Sequence, residues 1–497
     1  MLTWSLLFIK NNMHYETVIG LETHVQLGTE SKAFCADSAA FGGAPNTHTS
    51  AISLAHPGTL PRLNRRAVEF AVRLGLALGC EINPRSTFDR KNYFYADSPK
   101  GFQTTQDRQP ICMGGQVQVL ANGEPVTIRL HHIHLEEDAG KSLHDQDPTE
   151  SLIDLNRAGV PLLEIVSEPD LRSAEAVTAY VEEIRRLVRW LGISDGNMEE
   201  GSLRCDVNVS VREQGAEQYG QRCEIKNMNS MRFARRAIEY EVQRQIGLLE
   251  AGELIKQETR GFDASTGRTY SLREKEDAHD YRYFPEPDLP PVVLTSDYLE
   301  KIRAAMPPLP AALEREWQTQ YGLSAYDTGL LTQEKATALY FLQLASAPAD
   351  PAVPCKSIAN LLINKLLPWA ANAGLRVDAI PVGINQWVAF LQLIESGQVS
   401  SSAAYQRLFP ALLEQPAAAP LQLATELQLL QSADTGFLEQ LVAEVLGRYP
   451  DKVADYQRGK KGLLGLFMGE VMKASRGKAD PSATQRLLEE KLKGNPN

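Results

Sequence analysis

Apolar and polar residues alternate along several segments in the first part of the chain. Segment 17–27 places Ile, Leu and Val side chains on one face and Glu22 and His24 on the other. Segment 205–211 repeats this period of two, with Asp206 on its polar face. Each segment is therefore predicted to be a half-buried strand whose second face carries polar groups suited to chemistry.

A helical pattern follows the second of these strands. From about Ser230 apolar residues recur at helical spacing until the pattern ends near Gly252. Half-polar strands combined with such helices favour an α+β domain built on a largely antiparallel sheet. Beyond the proline-rich segment 284–291, Ala, Leu and Gln dominate, which indicates an all-α remainder.

Breaks in composition predict where the domains divide. The segment Glu414–Pro420 is rich in Pro and Ala and is typical of a linker between helical units. The predicted parts are an N-terminal extension (1–12), a sheet domain (13–295), a helical domain (296–413) and a basic helical tail (414–497).

Charge and cysteine content limit the class of protein. The net charge of −11 argues against a nucleic-acid partner, but residues 451–497 carry ten Lys and Arg against six Asp and Glu, a local charge of +4. The six cysteines form no C-x-x-C pair, which fits a reducing compartment. Because no apolar segment is long enough for a signal peptide or a membrane span, we expect a cytoplasmic protein without membrane contact.

Carboxylates lie among apolar residues in two neighbouring stretches, 131–141 and 154–168. Buried carboxylates are costly unless a cation offsets them. Oxygen ligands with one imidazole favour Mg²⁺ over zinc. The candidates are Glu22 and His24 on one strand, the run Glu136, Glu137 and Asp138, and Glu164 with Glu168. Alternation does not decide between Glu136 and Glu137, because both phases of that segment mix polar and apolar residues.

A magnesium site raises the question of which phosphate it serves. The segment Gly140–Ser142 resembles the end of a P-loop, but Leu135 stands where the upstream glycine is required, and no G-x-G-x-x-G follows a strand. Phosphate contacts are therefore predicted from isolated cations beside polar or aromatic residues. These candidates are Lys91, Lys100, Arg157, Arg204, Lys226 and Arg282.

Several motifs together resemble the B subunits of tRNA-dependent amidotransferases, the GatB/GatE family. They occur in the family's order and cover nearly the whole chain. The motifs are VIGLETHV (18–25), FDRKNYFY (88–95), DLNRAGVPLLEI (154–165), DGNMEEGSLRCD (195–206), EIKN (224–227), DYRYFPEPD (280–288) and MKASRGKADP (472–481).

The resemblance implies a cradle-like kinase domain similar to glutamine synthetase. It implies that ATP phosphorylates the side-chain carboxylate of Glu-tRNA(Gln), Asp-tRNA(Asn) or both, and that ammonia then displaces the phosphate. In the heterotrimer that the family forms, an amidase would supply the ammonia and a third, small protein would join the two. By the family pattern His24, Glu137 and Glu164 are the magnesium ligands, with Glu22 beside them. We assign Glu22, Glu137, Glu164, Arg204 and Asp206 to the catalytic set.

The tail and the first loop give two further expectations. Basic residues of the tail are predicted to contact the tRNA backbone: Lys460, Lys461, Lys473, Arg476 and Lys478. Some family members bind zinc through two cysteine pairs in the loop after the first strand. Only Cys35 remains here, with Asp37, Ser50 and Ser53 at the other positions, so we expect no structural zinc.

Two other functions fit the same residues. A stand-alone carboxylate kinase would use the magnesium site without needing the basic tail. A non-catalytic tRNA scaffold would need the tail, and its acidic cluster would serve only structure. Turnover of ATP without tRNA would favour the kinase.

Overall fold

The computed structural model describes residues 15–143, 149–226, 228, 230–274, 281–431, 435–475, 479 and 481–493. The chain forms two compact units, Met1–Pro310 and Ala311–Asn497. The extension 1–12 and the tail residues Arg476 and Lys478 lie outside the described residues. The finer division of the helical part into two domains stays a prediction.

Strands dominate the first unit. They are β1 (Tyr15–Gln26), β2 (Glu81–Ile82), β3 (Arg85–Ser86), β4 (Asp89–Asn92), β5 (Phe102–Thr105), β6 (Cys112–Met113), β7 (Gln116–Ala121), β8 (Glu124–Glu137), β9 (Lys141–Leu143), β10 (Leu152–Asp154), β11 (Pro161–Ser167), β12 (Leu203–Glu213), β13 (Cys223–Lys226), β14 (Glu258–Asp263), β15 (Arg268–Glu274), β16 (Phe284–Pro285) and β17 (Val292–Val293). Four α-helices accompany them within the described residues of this unit: α1 (Arg65–Ala77), α2 (Ala174–Leu191), α3 (Met231–Glu250) and α4 (Ser296–Ala305).

One large sheet organises this unit. Its strands run in the order β15-β14-β13-β12-β1-β11-β8-β6-β2, and β7 pairs with β8. Neighbouring strands of this sheet are antiparallel except for β13 and β14, which are parallel. The predicted α+β class is confirmed, with a mixed sheet; the likeness to glutamine synthetase stays a prediction.

The register of β1 brings polar residues of three strands together. His24 lies opposite both Glu164 of β11 and Arg204 of β12, and Glu22 lies opposite Asp206. Residues directly opposite in an antiparallel pair share a face. The central strands therefore have one polar face.

The other face of the same strands forms the core. Ile19, Leu21 and Val25 of β1 are at most 1% exposed and belong to one apolar cluster that includes buried residues of α1, α2 and α3. Side-chain caps determine where two of these helices begin. The Ser173 and Ser230 side chains accept hydrogen bonds from backbone N–H groups in the first turns of α2 and α3. The helix predicted from about residue 230 is confirmed. Burial of this face leaves the polar face for chemistry.

The second unit is helical over its described residues. Its α-helices are α5 (Pro310–Tyr321), α6 (Ala325–Leu331), α7 (Lys335–Ser346), α8 (Cys355–Leu361), α9 (Leu367–Asn372), α10 (Ile384–Glu395), α11 (Ser401–Ala403), α12 (Phe409–Glu414), α13 (Pro420–Glu426), α14 (Thr435–Arg448), α15 (Pro450–Gln457), α16 (Leu463–Ala474) and α17 (Pro481–Leu492). Helices α14 to α17 share a small core of their own around Phe467 and Val471. In the part of the chain that the structure describes, no helix is both long and apolar enough to cross a membrane.

Candidate active site

Three side chains converge on the polar face of the large sheet. His24 on β1, Glu136 on β8 and Glu164 on β11 each offer one ligand atom, and these atoms lie within 4.8 Å of one another. His24 Nε2 is 3.2 Å from Glu164 Oε2, and His134 Nε2 lies 3.3 Å from Glu136 Oε2. Two carboxylates and one imidazole fit a hard divalent cation such as Mg²⁺.

The protonation of this cluster follows from its charges. Burial disfavours the charged form of His24, but the hydrogen bond to Glu164 and the charges of Glu164 and Glu136 outweigh burial and raise the pKa of His24 to about 9. Burial also opposes ionisation of Glu164, but His134 and His24 hold its pKa well below the ordinary value of 4.5. Without a cation, the pair is therefore an ionised carboxylate beside an imidazolium.

Glu137 faces a different set of groups from its neighbour Glu136. The Glu137 carboxylate accepts hydrogen bonds from the Lys100 ammonium and, at 2.8 Å, from the Thr104 N–H. Because successive residues of a strand project to opposite faces, only one of two adjacent residues can join the cluster. The structure brings Glu136, rather than the family-based choice Glu137, to His24 and Glu164.

Glu22 and Glu168 lie outside the three-residue cluster. Glu22 Oε1 accepts from Asn208 Nδ2 at 3.0 Å, and burial, followed by repulsion from Glu164, raises the pKa of Glu22. Glu168 comes directly after β11 and continues the alternation of Glu164 and Val166, but four residues of extended strand place it about 13 Å from Glu164, outside the cluster.

Asp138 links the cluster face to two of the predicted phosphate-binding cations. Its Oδ2 lies 2.7 Å from Arg204 Nη2, 3.7 Å from Arg157 Nε and 2.6 Å from Gln26 Nε2. Burial opposes ionisation of Asp138, but the charges of Arg204 and Arg157 keep its pKa below the ordinary value of 3.8. Arg157 also donates to the Gly140 carbonyl at 2.6 Å. Both guanidinium groups therefore already contact protein acceptors in this structure.

The remaining predicted cations differ in their surroundings. Lys226 Nζ is 2.9 Å from both Asp206 Oδ2 and Glu224 Oε1, so the catalytic candidate Asp206 forms an ion pair in this structure. Lys91 Nζ lies 5.0 Å from the Tyr281 ring centroid. Burial disfavours its charged form, but nearby carboxylates, Glu136 foremost, raise the pKa of Lys91. Lys91 therefore interacts electrostatically with two carboxylates of the cluster, Glu136 and Glu164.

Arg282 lies at the surface, at the edge of an aromatic group. Its guanidinium carbon is 5.9 Å from the Phe94 ring centroid, and its φ of +46° is unusual for a residue other than glycine. The Phe94 side chain is largely exposed. The structure thus places Arg282 beside an exposed aromatic ring.

A cavity of about 310 Å³ opens beside Glu137 and Asp138. Its wall includes Lys100 and two cations that were not among the predicted phosphate contacts, Lys32 and Arg90. Arg90 Nε and Nη2 donate to the two oxygens of Glu286 at 2.7 and 2.8 Å. The FDRKNYFY motif contains Arg90, so that residue could have been found. Lys32 stands outside every motif and gave no such signal.

Three of the four positions that bind zinc in some family members, Asp37, Ser50 and Ser53, form hydrogen bonds with one another here. Ser53 Oγ donates to Asp37 Oδ2 at 2.5 Å, and the Ser50 N–H donates to Ser53 Oγ at 2.9 Å. Burial raises the pKa of the Cys35 thiol to about 11, which disfavours the thiolate that zinc requires. The absence of a structural zinc stays a prediction.

Three of the five predicted tRNA contacts lie on described residues of the tail. Lys460 Nζ is 2.8 Å from Asp455 Oδ2, and Lys461 Nζ lies 4.3 Å from the Tyr456 ring centroid. Lys473 is exposed in the last turn of α16. All three lysines are exposed, and Lys473 forms no ion pair within 4.0 Å among the described residues.

Comparison with known proteins covers both units. Residues 17–300 match the family model described as the GatB/GatE catalytic domain, and residues 339–492 match the model described as the GatB domain. Similar curated proteins are named as the B subunit of aspartyl/glutamyl-tRNA(Asn/Gln) amidotransferase. One from Anaeromyxobacter dehalogenans is 49% identical over 96% of this chain and 99% of its own length.

Two further relatives bear the same name. The protein from Burkholderia ambifaria is 48% identical over 96% of this chain and 99% of its own length. The protein from Geobacter sulfurreducens is 46% identical over 97% of this chain and 100% of its own length. These matches span the sheet, the three-residue cluster and the basic tail. The chain belongs to the GatB/GatE family.

Proposed function

We propose that this chain is the B subunit of an aspartyl/glutamyl-tRNA(Asn/Gln) amidotransferase and activates the side-chain carboxylate of Glu-tRNA(Gln), Asp-tRNA(Asn) or both with ATP. The observation that carries the proposal is the convergence of His24, Glu136 and Glu164 on the polar face of a family-matched catalytic domain. These residues would hold Mg²⁺, which would neutralise phosphate charge and polarise the transferred phosphoryl group.

The chemistry solves a leaving-group problem. A carboxylate does not react with ammonia because its oxygen is a poor leaving group. In the first step a carboxylate oxygen attacks the γ-phosphorus of ATP, the bond to the ADP oxygen breaks, and an acyl phosphate forms. Ammonia then attacks the acyl carbon, phosphate departs with that oxygen and one proton of the ammonia, and the amide remains.

Charged groups around the cluster suit this reaction. The positive charge of Lys91 interacts with Glu136 and Glu164, so it can offset phosphate charge near the cluster. Asp138 holds Arg204 toward that face, and Lys226 is held by Asp206 and Glu224. These pairs orient cations in advance, which lowers the reorganisation needed during phosphoryl transfer.

The partners follow from the proposed reaction. We place ammonia production in a separate amidase, the A subunit of the heterotrimer, since the sequence has no convincing nucleophile constellation for glutamine hydrolysis. The small C subunit would join the amidase to this chain, and the assembly would work in the cytoplasm on misacylated tRNA.

ATP hydrolysis by the assembled complex tests this function. We expect stimulation by Glu-tRNA(Gln) or Asp-tRNA(Asn) and none by Gln-tRNA(Gln), because only the misacylated forms carry a free side-chain carboxylate. Equal turnover without tRNA would instead support a stand-alone kinase.

The basic tail is proposed to contact the tRNA backbone. Replacing Lys473 with Glu should weaken tRNA binding severalfold and reduce the slope of log affinity against log salt by about 1, because a phosphate contact releases a counterion. Filter binding across a salt series measures both quantities. Lys301→Glu, the same change at an exposed lysine of α4, is the control. Equal slopes for Lys473→Glu and the wild type would reject this contact.

A further inference from the structure

Lys32 is a fully buried lysine on the wall of the cavity. The residue is 0% exposed, and its Nζ donates to the Leu155 carbonyl at 3.2 Å. No carboxylate of the described residues forms an ion pair with it under a 4.0 Å limit. An ammonium has three N–H donors, and a neutral carbonyl uses only one of them. The charge is thus removed from water without an acid in direct contact to pair with it.

Such an arrangement is unfavourable for the protein alone. Burial lowers the pKa of Lys32, although the acidic groups of Cys35, Asp37, Glu137 and Asp154 act in the opposite direction. Buried charges in proteins are ordinarily paired or bind a ligand. An anion in the adjoining cavity would provide the missing partner.

The other lysine and arginine side chains on the described wall already have acidic partners. Lys100 bonds to Glu137, and Arg90 makes a two-point pair with Glu286 and a further contact of 3.1 Å with Asp288. These cations can contribute to the field in the cavity, but their donors are largely committed. Lys32 therefore has the greatest capacity to bind a new anion.

The backbone around Lys32 holds the side chain in place. The Lys32 N–H donates to the Asp37 carbonyl at 3.0 Å, and the next residue donates to the Gly159 carbonyl at 2.8 Å. Gly159 has a φ of +87°, and a Cβ built there would lie 3.4 Å from Lys32 Cδ. The lysine stem thus runs against a glycine backbone, which favours a fixed position over a mobile surface cation.

We propose that Lys32 is the anion-binding residue of this cavity and that its ligand is a phosphate group of the nucleotide. The assignment of the phosphate to ATP rests on the proposed function. The aminoacyl side chain carries the other candidate anion, a carboxylate. A phosphate offers more acceptor oxygens and more charge to an ammonium with two uncommitted donors.

The test compares Lys32→Met with the wild type in the assembled complex. Methionine is close to lysine in length and removes the charge, so folding should be retained. We expect the Kd of ADP, measured by calorimetry, to rise by about tenfold or more, while the KM for misacylated tRNA stays unchanged. Inorganic phosphate and pyrophosphate should raise the Tm of the wild type but not of the variant. Lys301→Met, at an exposed position, controls for loss of a lysine.

The Tm of the ligand-free complex shows whether Lys32 serves a ligand or the fold itself. Removing an unpaired buried charge should leave the Tm of the ligand-free complex unchanged or raise it, whereas loss of a structural ion pair would lower it. Unchanged ADP affinity, or a rise confined to the KM for tRNA, overturns the phosphate assignment. Lys32→Gln provides a second variant should Lys32→Met fail to fold. If Lys32→Met loses phosphate binding but the wild type shows no tRNA-stimulated ATP turnover, the assignment of Lys32 stands and the proposed function is rejected.

Discussion

Replacing Glu164 with Gln is expected to lower tRNA-dependent ATP turnover by about a thousandfold while leaving tRNA affinity unchanged. Glu164 is ionised at neutral pH and lies within 3.2 Å of His24. Glutamine keeps the shape of the side chain but removes the charge that a divalent cation needs. A factor of a thousand corresponds to about 4 kcal/mol of transition-state stabilisation.

The matched control for this change is Glu168→Gln, four residues further along. Glu168 lies directly after the end of β11 and is not part of the cluster with His24 and Glu136. The Glu168→Gln variant should therefore retain nearly full tRNA-dependent ATP turnover. Steady-state ATP hydrolysis and tRNA filter binding on the same preparations measure both effects. Retained ATP turnover in Glu164→Gln would reject the proposed metal site.

Asp138→Asn is expected to destabilise the first unit by about 3 kcal/mol, near the lower end for breaking a buried pair, because its arginine partners keep some contact with water. The change removes the charge that holds Arg204 and Arg157. Urea unfolding at neutral pH measures the loss. Asp170→Asn, which removes the partner of the exposed Arg129, should have a much smaller effect.

The effect of Asp138 should depend on pH in a defined direction. Its folded-state pKa lies below the ordinary value of 3.8, so its stabilising contribution is fully present above 3.8 and is lost as the pH falls through the folded value. The stability difference between the wild type and Asp138→Asn should therefore narrow below pH 3.8. A difference that stays constant down to strong acid would show that the charge of Asp138 is not what stabilises the fold.

Local alternation was sufficient to predict part of the site. In β1 the period of two separates Glu22 and His24 from the buried Ile19 and Leu21, because only one face of this strand is apolar. In β8 both phases contain polar residues, so alternation alone could not choose between adjacent glutamates. The register of β8 with β11 determines the choice, and register is a long-range property.

Pairing between distant segments also limited the prediction. Lys226 and Arg204 stand as isolated cations in the sequence, but strand order places them beside Asp206 and Asp138. Lys32 was missed because its proposed role in anion binding depends on its burial and on the ion pairs of neighbouring cations, which no short motif encodes.

The central claim is that the tRNA-bound carboxylate is phosphorylated before it is amidated. The most direct measurement supplies the assembled complex with Glu-tRNA(Gln) or Asp-tRNA(Asn) labelled with ¹⁸O in the side-chain carboxylate and determines the isotope content of the released phosphate. Transfer of one ¹⁸O atom to each phosphate is predicted, because the attacking carboxylate oxygen leaves with it. Amide formation that releases phosphate free of ¹⁸O would contradict the account.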